Sequence, residues 1–423
     1  MTVYFINRFF YPHHSATSQL LSDLAFHLAE GGSSVCVITA QVCYRDGTRM
    51  LPALEVIRGV AIRRVATTRF GMPRLIMRAF DCLPFYFFAT WEALRLARKG
   101  DVIVAKTDPP LIGVFAMAVA RLRGARFVNW LQDVFPEVAA GVGVALGKRP
   151  FGSMIAAVRD RSLRAADCNV ALGERMAEFV LSRGVDRRRV RVIHNWADDE
   201  AITPIAASTN RFTAQFGLHG RFVVGYSGNL GRAHHFDTIL DAAHLLRHDS
   251  RVMFLVVGYG IQLAAVKEAV ARRGLCAFLF LPYQPRERLA YSLNAAQLHL
   301  VTLSPQLEGL VVPSKFYGIA AAGRPVAFIG DKDGEIARVV SRHGCGRTFE
   351  VGESDGLADY IRTLAAHPEE AARQGRNARA ALERHYSKAA AFGLWKETLL
   401  GTKDAANEEE RLRRMRRAGM TLP

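Results

Sequence analysis

Two basic residues in the second half of the chain sit where a bound anion would explain them. Lys315 interrupts the apolar stretch EGLVVPSKFYGIAAAGRPVAFIG, residues 308–330. Pro313 and Ser314 mark a helix start there, Gly323 its end, and Pro325 the return to a strand. Lys315 therefore falls in the first helical turn, where a positive charge opposes the helix dipole. A bound anion reverses that balance, whereas a lysine that merely packs its stem would send its ammonium to solvent. Arg232 lies in GNLGRAHHFDTIL, directly after the strand-like FVVGYS. Gly228 and Gly231 allow close backbone approach around Asn229, and the free amides of the next helix can cradle phosphate oxygens. An ordinary tight turn would use the same glycines. Two cations after two strands of one sheet favour the anion site.

The first half offers a different set. NWLQDVFPE places Asp133 just after a strand, where a carboxylate can hold substrate hydroxyls or take a proton, or else cap a helix. YPHHSATSQL follows the first strand and brings His13, His14, Ser15 and Thr17 to a helix start suited to polar ligand contacts. The paired histidines lack a matching carboxylate or thiol spacing, so no metal site is expected. Between Arg58 and Arg78 lie six arginines and no acid, followed by FDCLPFYFFATWEALRLARK with Phe85, Tyr86, Phe87, Phe88 and Trp91. Aromatics beside cations suit contact with an anionic membrane surface through residues 58–99, while a core helix behind a basic loop would show the same residues.

The elements that must position these groups form two series. TVYFIN, SVCVIT, DVIVAK, RFVNWL, CNVA and VRVI alternate with helical patterns such as Ser18–Glu30, Leu111–Arg123 and Glu174–Arg183. FVVGYS, VMFLVV, AFLFL, QLHLV and PVAFI repeat the scheme. Continuous rather than alternating hydrophobicity in the strands indicates parallel sheets covered on both faces. An α/β chain of two doubly wound, Rossmann-like domains facing a central cleft is expected: residues 1–198, a linker at 199–220 and a second domain at 221–384. Residues 385–403 read as a helix packing back on the first domain, and 404–423 as a charged tail.

Composition narrows the classes. A chain of 423 residues with 50% hydrophobic and 22% charged residues is globular. Its net charge is +17, and residues 1–195, with 27 basic and 15 acidic residues, carry +12 of it. Such a field suits nucleic acid, an anionic membrane or an anionic substrate. No ribonucleoprotein motif, zinc-finger spacing or helix-turn-helix accompanies it, so nucleic acid is the weakest choice. Six cysteines without a CxxC pair read as reduced thiols of a cytoplasmic protein. Neither a cleaved leader nor a membrane-spanning run is expected.

NWLQDVFPE, VIHNWADD, VVGYSGNLGRAHHFDTIL, VPSKFYGIAAAGRPV and GDKDGEIARVV together resemble the retaining, nucleotide-sugar-dependent GT-B glycosyltransferases of family 4, over residues 1–400. The resemblance is strongest to the branch associated with bacterial O-antigen and exopolysaccharide assembly. It implies a nucleotide-sugar donor, expected to be a UDP-sugar, held mainly by the second domain, and an acceptor offered mainly by the first. It also implies retention of configuration, no cofactor and no metal. Arg232 and Lys315 match the family's diphosphate-binding cations, Gly228 and Gly231 its glycine turn, and Glu335 a donor-binding segment; Asn229 and Ser314 flank these matches. Catalytic roles are thereby expected for Lys315, Arg232 and Asp133. One departure concerns the two glutamates that many members carry. The second of their positions is Gly318 here, preceded eight residues earlier by Leu310, so the acidic half of the site is either missing or supplied from elsewhere, by Glu308 or Glu335. The function expected is transfer of an N-acetylated hexosamine or deoxyhexosamine to a polyprenyl-diphosphate-linked saccharide at the inner face of the plasma membrane. A GT-B nucleotide-sugar epimerase and a non-enzymatic basic scaffold are the alternatives.

Overall fold

The computed structural model describes residues 1–13, 15–41, 50–67, 75–144 and 150–401, with the side chains of 75–81 excepted. His14 lies outside these residues, as do the 404–423 tail, Cys43, Arg69, Arg74 and the side chain of Arg78. Two compact units result, one of Met1–His194 with Ala391–Pro423 and one of Asn195–Ala390.

The first unit is built on an eight-stranded sheet of β1 (Thr2–Ile6), β2 (Ser34–Ala40), β3 (Leu54–Ile57), β4 (Val60–Val65), β5 (Val102–Lys106), β6 (Arg126–Trp130), β7 (Cys168–Ala171) and β8 (Val190–Val192). Its order is β3-β4-β2-β1-β5-β6-β7-β8, parallel except for the edge strand β3. The β3–β4 hairpin is absent from the sequence reading, because its alternating Leu54–Val65 pattern runs into the arginine-rich segment that starts at Arg58. The helices are α1 (Ala16–Glu30), α2 (Leu75–Leu96), α3 (Ile112–Arg123), α4 (Glu137–Gly141), α5 (Phe151–Ala165) and α6 (Glu174–Ser182). Right-handed crossovers place α1 on one face, since β1 to β2 runs opposite to the later connections. The same rule places α2, α3 and α5 side by side on the other face. Phe85, Ala89, Ala93 and Ala97 of the α2 segment point into that core at helical spacing.

The second unit holds α7 (Arg211–Gln215), β9 (Phe222–Ser227), α8 (Asp237–Leu245), β10 (Val252–Val257), α9 (Leu263–Arg272), β11 (Phe278–Leu281), α10 (Arg286–Asn294), β12 (Leu298–Thr302), α11 (Lys315–Ala321), β13 (Val326–Ile329), α12 (Glu335–His343), β14 (Gly346–Phe349), α13 (Ser354–Ala366) and α14 (Pro368–Ala381). Its six strands are all parallel in the order β11-β10-β9-β12-β13-β14. The edge strand β14, GRTF, has too little apolar sequence to be read in advance.

The 199–220 stretch differs from the expected linker. Its Phe212 and Leu218 enter the core of the second unit, and buried Asn210 caps α7 while donating to Tyr291 O at 2.9 Å. Apolar anchors spaced through a polar stretch explain why composition alone missed this packing. The last helix, α15 (Lys388–Leu400), belongs from Ala391 to the first unit. There Trp395 packs on Trp130 with centroids 4.6 Å apart, Phe392 packs on His27 of α1, and Arg126 donates to the carbonyls of Thr398 and Leu399 at 3.0 Å.

Candidate active site

In the second unit the loops after β9, β10, β11 and β12 lie at the carboxyl ends of adjacent strands, where open parallel sheets bind ligands. Gly228 has φ +139°, a conformation that favours glycine. Its amide donates to Val257 O at 2.9 Å, and that of Leu230 donates to Tyr259 O at 2.9 Å. A Cβ at Gly258 would stand 2.0 Å from Gly228 O, so the β10 loop closes on the backbone of the Gly228 turn only because residue 258 lacks a side chain. Gly258→Ala is expected to destabilise the unit by about 3 kcal/mol through overpacking and a strained φ of +149°, measurable by chemical denaturation.

Lys315 opens α11 and is partly exposed. Its Nζ donates to Tyr226 Oη at 2.7 Å and lies 3.9 Å from the Tyr226 ring centroid. Its terminal carbon and nitrogen are about 3.5 Å from where a Gly228 Cβ would be. Tyr226 in turn donates to Asn229 O at 2.9 Å. Loss of hydration lowers the Lys315 pKa to about 7, and the nearby His234 is pushed down to about 3 by burial and then by Lys315. The lysine therefore ends at the glycine turn with a phenol as its partner and no carboxylate in either contact. Arg232 is exposed on the same turn and, among the described residues, has no ion-pair partner. Ser314 precedes the helix without a side-chain cap, and Asn229 is exposed. Tyr259 and Tyr283, from the loops after β10 and β11, are exposed and meet edge to face at 4.8 Å.

The two glutamates have other surroundings. Glu308 accepts from the Glu335 amide at 2.8 Å, so its carboxylate caps α12. A Cβ on Gly334 would collide with that carboxylate. Glu335 itself is buried, and its charge adds to the burial that raises the Tyr317 phenol. At Gly318 an added Cβ would meet Leu293 at 3.5 Å, an ordinary contact. Glu308→Ala is expected to cost about 1 kcal/mol through the lost cap, read as a lower thermal midpoint.

In the first unit Asp133 follows β6, with its amide 3.4 Å from Thr107 Oγ1. It is not a helix cap, since α4 begins at Glu137 after Pro136. Asp108, after β5, is its electrostatic neighbour: burial first and Asp133 second raise Asp108 to about 6, and burial also raises Asp133. Asp133 lines a cavity of about 30 Å³ with Thr107, Leu111 and Arg159. Lys106, fully buried at the end of β5, donates to Thr17 O at 2.8 Å and lies 3.7 Å from the Trp130 ring centroid. Ser15 caps α1 by accepting from the Ser18 amide at 3.3 Å, and Thr17 Oγ1 is 3.3 Å from Ser15 Oγ. His13 is buried beside Phe9. The predicted groups thus divide, with Lys315, Arg232, Gly228, Asn229, Gly231, Ser314, Glu308 and Glu335 in one unit and Asp133, His13, Ser15 and Thr17 in the other. Among the described residues no cluster of three potential ligands is placed to hold a metal ion.

Asp108, Lys106 and Tyr226 were not singled out from the sequence. Each ends or follows an apolar strand, in DVIVAKTD or FVVGYS, and that position was the available signal. Asp108→Asn is expected to stabilise the chain above pH 6. The folded pKa exceeds the unfolded value of 3.8, so the carboxylate's penalty is absent below about pH 4 and complete above about pH 6, as a pH series of unfolding curves would reveal.

Two family models match the chain: one described as Glycosyl transferase 4-like domain over residues 17–196 and one as Glycosyl transferases group 1 over 209–381. The chain belongs to the family 4 GT-B glycosyltransferases. This glycosyltransferase is 26% identical over 293 residues to "Probable glycosyltransferase WbjE" of Pseudomonas aeruginosa, covering 69% of this chain and 73% of that one. It is 29% identical over 209 residues to "Putative colanic acid biosynthesis glycosyl transferase WcaI" of Escherichia coli K12, covering 48% and 51%. The fold is that of Anabaena Alr3699/HepE, crystallised with UDP, with TM-score 0.72 at 17% identity over 95% of this chain and 100% of that one. Sucrose-phosphate synthase of Thermosynechococcus elongatus shares it at TM-score 0.74 and 17% identity, over the same shares.

Proposed function

We propose that this glycosyltransferase moves a sugar from a UDP-linked donor, an N-acetylated hexosamine or deoxyhexosamine, to a polyprenyl-diphosphate-linked saccharide with retention of configuration. The product belongs to cell-surface polysaccharide assembly at the cytoplasmic face of the membrane. The observation that carries the donor half is Lys315, held by Tyr226 at the glycine turn of Gly228. A diphosphate there would gain the lysine, the exposed Arg232 and the close backbone approach that Gly228 and Gly231 allow. UDP in the HepE crystal supports the choice of nucleotide, and the name of the E. coli relative supports the polysaccharide.

Negative charge accumulates on the departing diphosphate as the glycosidic bond to the donor breaks, and Lys315 and Arg232 stabilise it in the transition state. The leaving phosphate takes the acceptor proton as the acceptor oxygen attacks from the same face. Asp133 belongs to the acceptor-side unit, where its carboxylate orients acceptor hydroxyls. Incubation with a panel of nucleotide sugars and a short polyprenyl-diphosphate saccharide tests the proposal. A glycosylated lipid and free UDP are expected, while free epimerised nucleotide sugar without glycosylated product would reject it.

A further inference from the structure

The helical layer α2–α3–α5 of the first unit carries apolar side chains on both its sides. Its inner side fills the core, yet Leu83, Phe87 and Trp91, spaced four apart on α2, form a second stripe facing solvent, with Phe87 66% and Trp91 59% exposed. On α5, Phe151, Met154 and Val158 repeat this at spacings of three and four, with Met154 62% exposed. Between them α3 contributes exposed Phe115, stacked on Tyr86 of α2 at 4.9 Å. Scattered exposed apolar residues are ordinary, but stripes on two helices joined across a third by Phe115 are an unpartnered face.

The charges around this face select its occupant. Each of the three helices precedes a parallel strand, so their carboxyl ends lie together. That end bears exposed Arg98, Lys99, Arg121, Arg123, Arg161 and Arg164, none of them in an ion pair among the described residues. Among the described side chains of the three helices the acids are Glu92 and Asp160, both engaged by arginines. Anionic headgroups would neutralise the basic end and accept the aromatic stripe. No helix among the described residues is long and apolar enough to cross a membrane. We propose that the α2–α3–α5 face is a peripheral docking surface for an anionic lipid bilayer, with Phe87, Trp91 and Met154 inserted among the headgroups. This moves the membrane contact expected at residues 58–99 onto three helices. Phe85 is buried in the core, while the β3–β4 hairpin is tied by Arg58–Glu30 and Arg64–Glu55 pairs. The inference takes from the proposed function only the membrane location of its acceptor. Tyr86 also donates to Pro110 O, and Pro110 lines the Asp133 cavity, so the face adjoins the acceptor-side loops.

Trp91 is the single exposed member of the chain's four tryptophans, the others being buried, which makes its emission a direct probe. Full-length protein is to be mixed at low salt with vesicles of phosphatidylglycerol and phosphatidylcholine, and with phosphatidylcholine alone. A blue shift and co-sedimentation with the anionic vesicles only, both reduced by salt, are expected. The Phe87→Ser/Trp91→Ser and Phe151→Ser/Met154→Ser variants should each lose about tenfold or more in vesicle partition. Their UDP-induced thermal shifts should match the parent's, which separates this inference from the donor-site reading. Absence of vesicle binding, or equal binding by parent and both variants, would overturn it. So would light scattering that shows a dimer dispersed by these substitutions, which would assign the face to a second copy.

Discussion

Replacing Lys315 by alanine is expected to lower the turnover of glycosyl transfer by about two to three orders of magnitude, the loss typical of removing one charge-stabilising donor from a transition state. The size follows from position. Lys315 reaches the Gly228 turn from the start of α11, and among the described residues its ammonium is held by the Tyr226 hydroxyl and ring, with no carboxylate in either contact. A lysine that merely packed would leave the rate unchanged and shift stability instead. Lys315→Arg should not restore full activity, because a planar guanidinium does not replace a compact ammonium held over a ring. Steady-state kinetics with the true donor and acceptor, alongside unfolding curves, distinguish these outcomes.

The second large effect is on pH dependence. With its pKa lowered to about 7, Lys315 loses its proton in the ligand-free chain on the alkaline side of neutrality. An adjoining diphosphate favours the charged form and raises that pKa, so binding above pH 7 takes up a proton. UDP affinity should therefore fall by up to about tenfold per pH unit above pH 7 until the pKa of the complex is passed. Stability moves the other way. The folded pKa lies below the unfolded value of 10.5, so the unfolded chain holds more protons between pH 7 and 10.5, and the burden on folding lifts as pH rises through that window. Lys315→Met should be more stable than the parent at pH 6 and converge with it near pH 10.5. An identical pH profile for the two would remove the lysine from both accounts.

How much of this was legible depended on the kind of residue. Strands such as SVCVIT and VMFLVV are buried on both faces, so their continuous apolar runs declared two parallel sheets. Lys315 stood out because a cation in an apolar helix start needs a reason. Its partner Tyr226 did not, since a tyrosine in a buried strand looks like core until the lysine is seen donating to it. Glu308 shows the opposite failure. The sequence offers it as a stand-in for the acid absent at Gly318, and the chain folds its carboxylate onto the Glu335 amide, 27 residues on, a long-range helix cap that no local motif declares. Asp108 gains its shifted ionisation from burial and from Asp133 after the next strand, and Lys106 from burial that outweighs the opposing charges of Asp108 and Asp23, information absent from a local motif.

The central claim is that the second unit binds a nucleoside diphosphate through the Lys315 end of α11. Calorimetric titration of UDP and of uridine into the parent chain and Lys315→Met, at pH 7, tests it most directly. The predicted result is UDP binding by the parent that weakens about a hundredfold in the variant, with uridine binding equally weakly to both. Equal UDP affinity in the two proteins would contradict it.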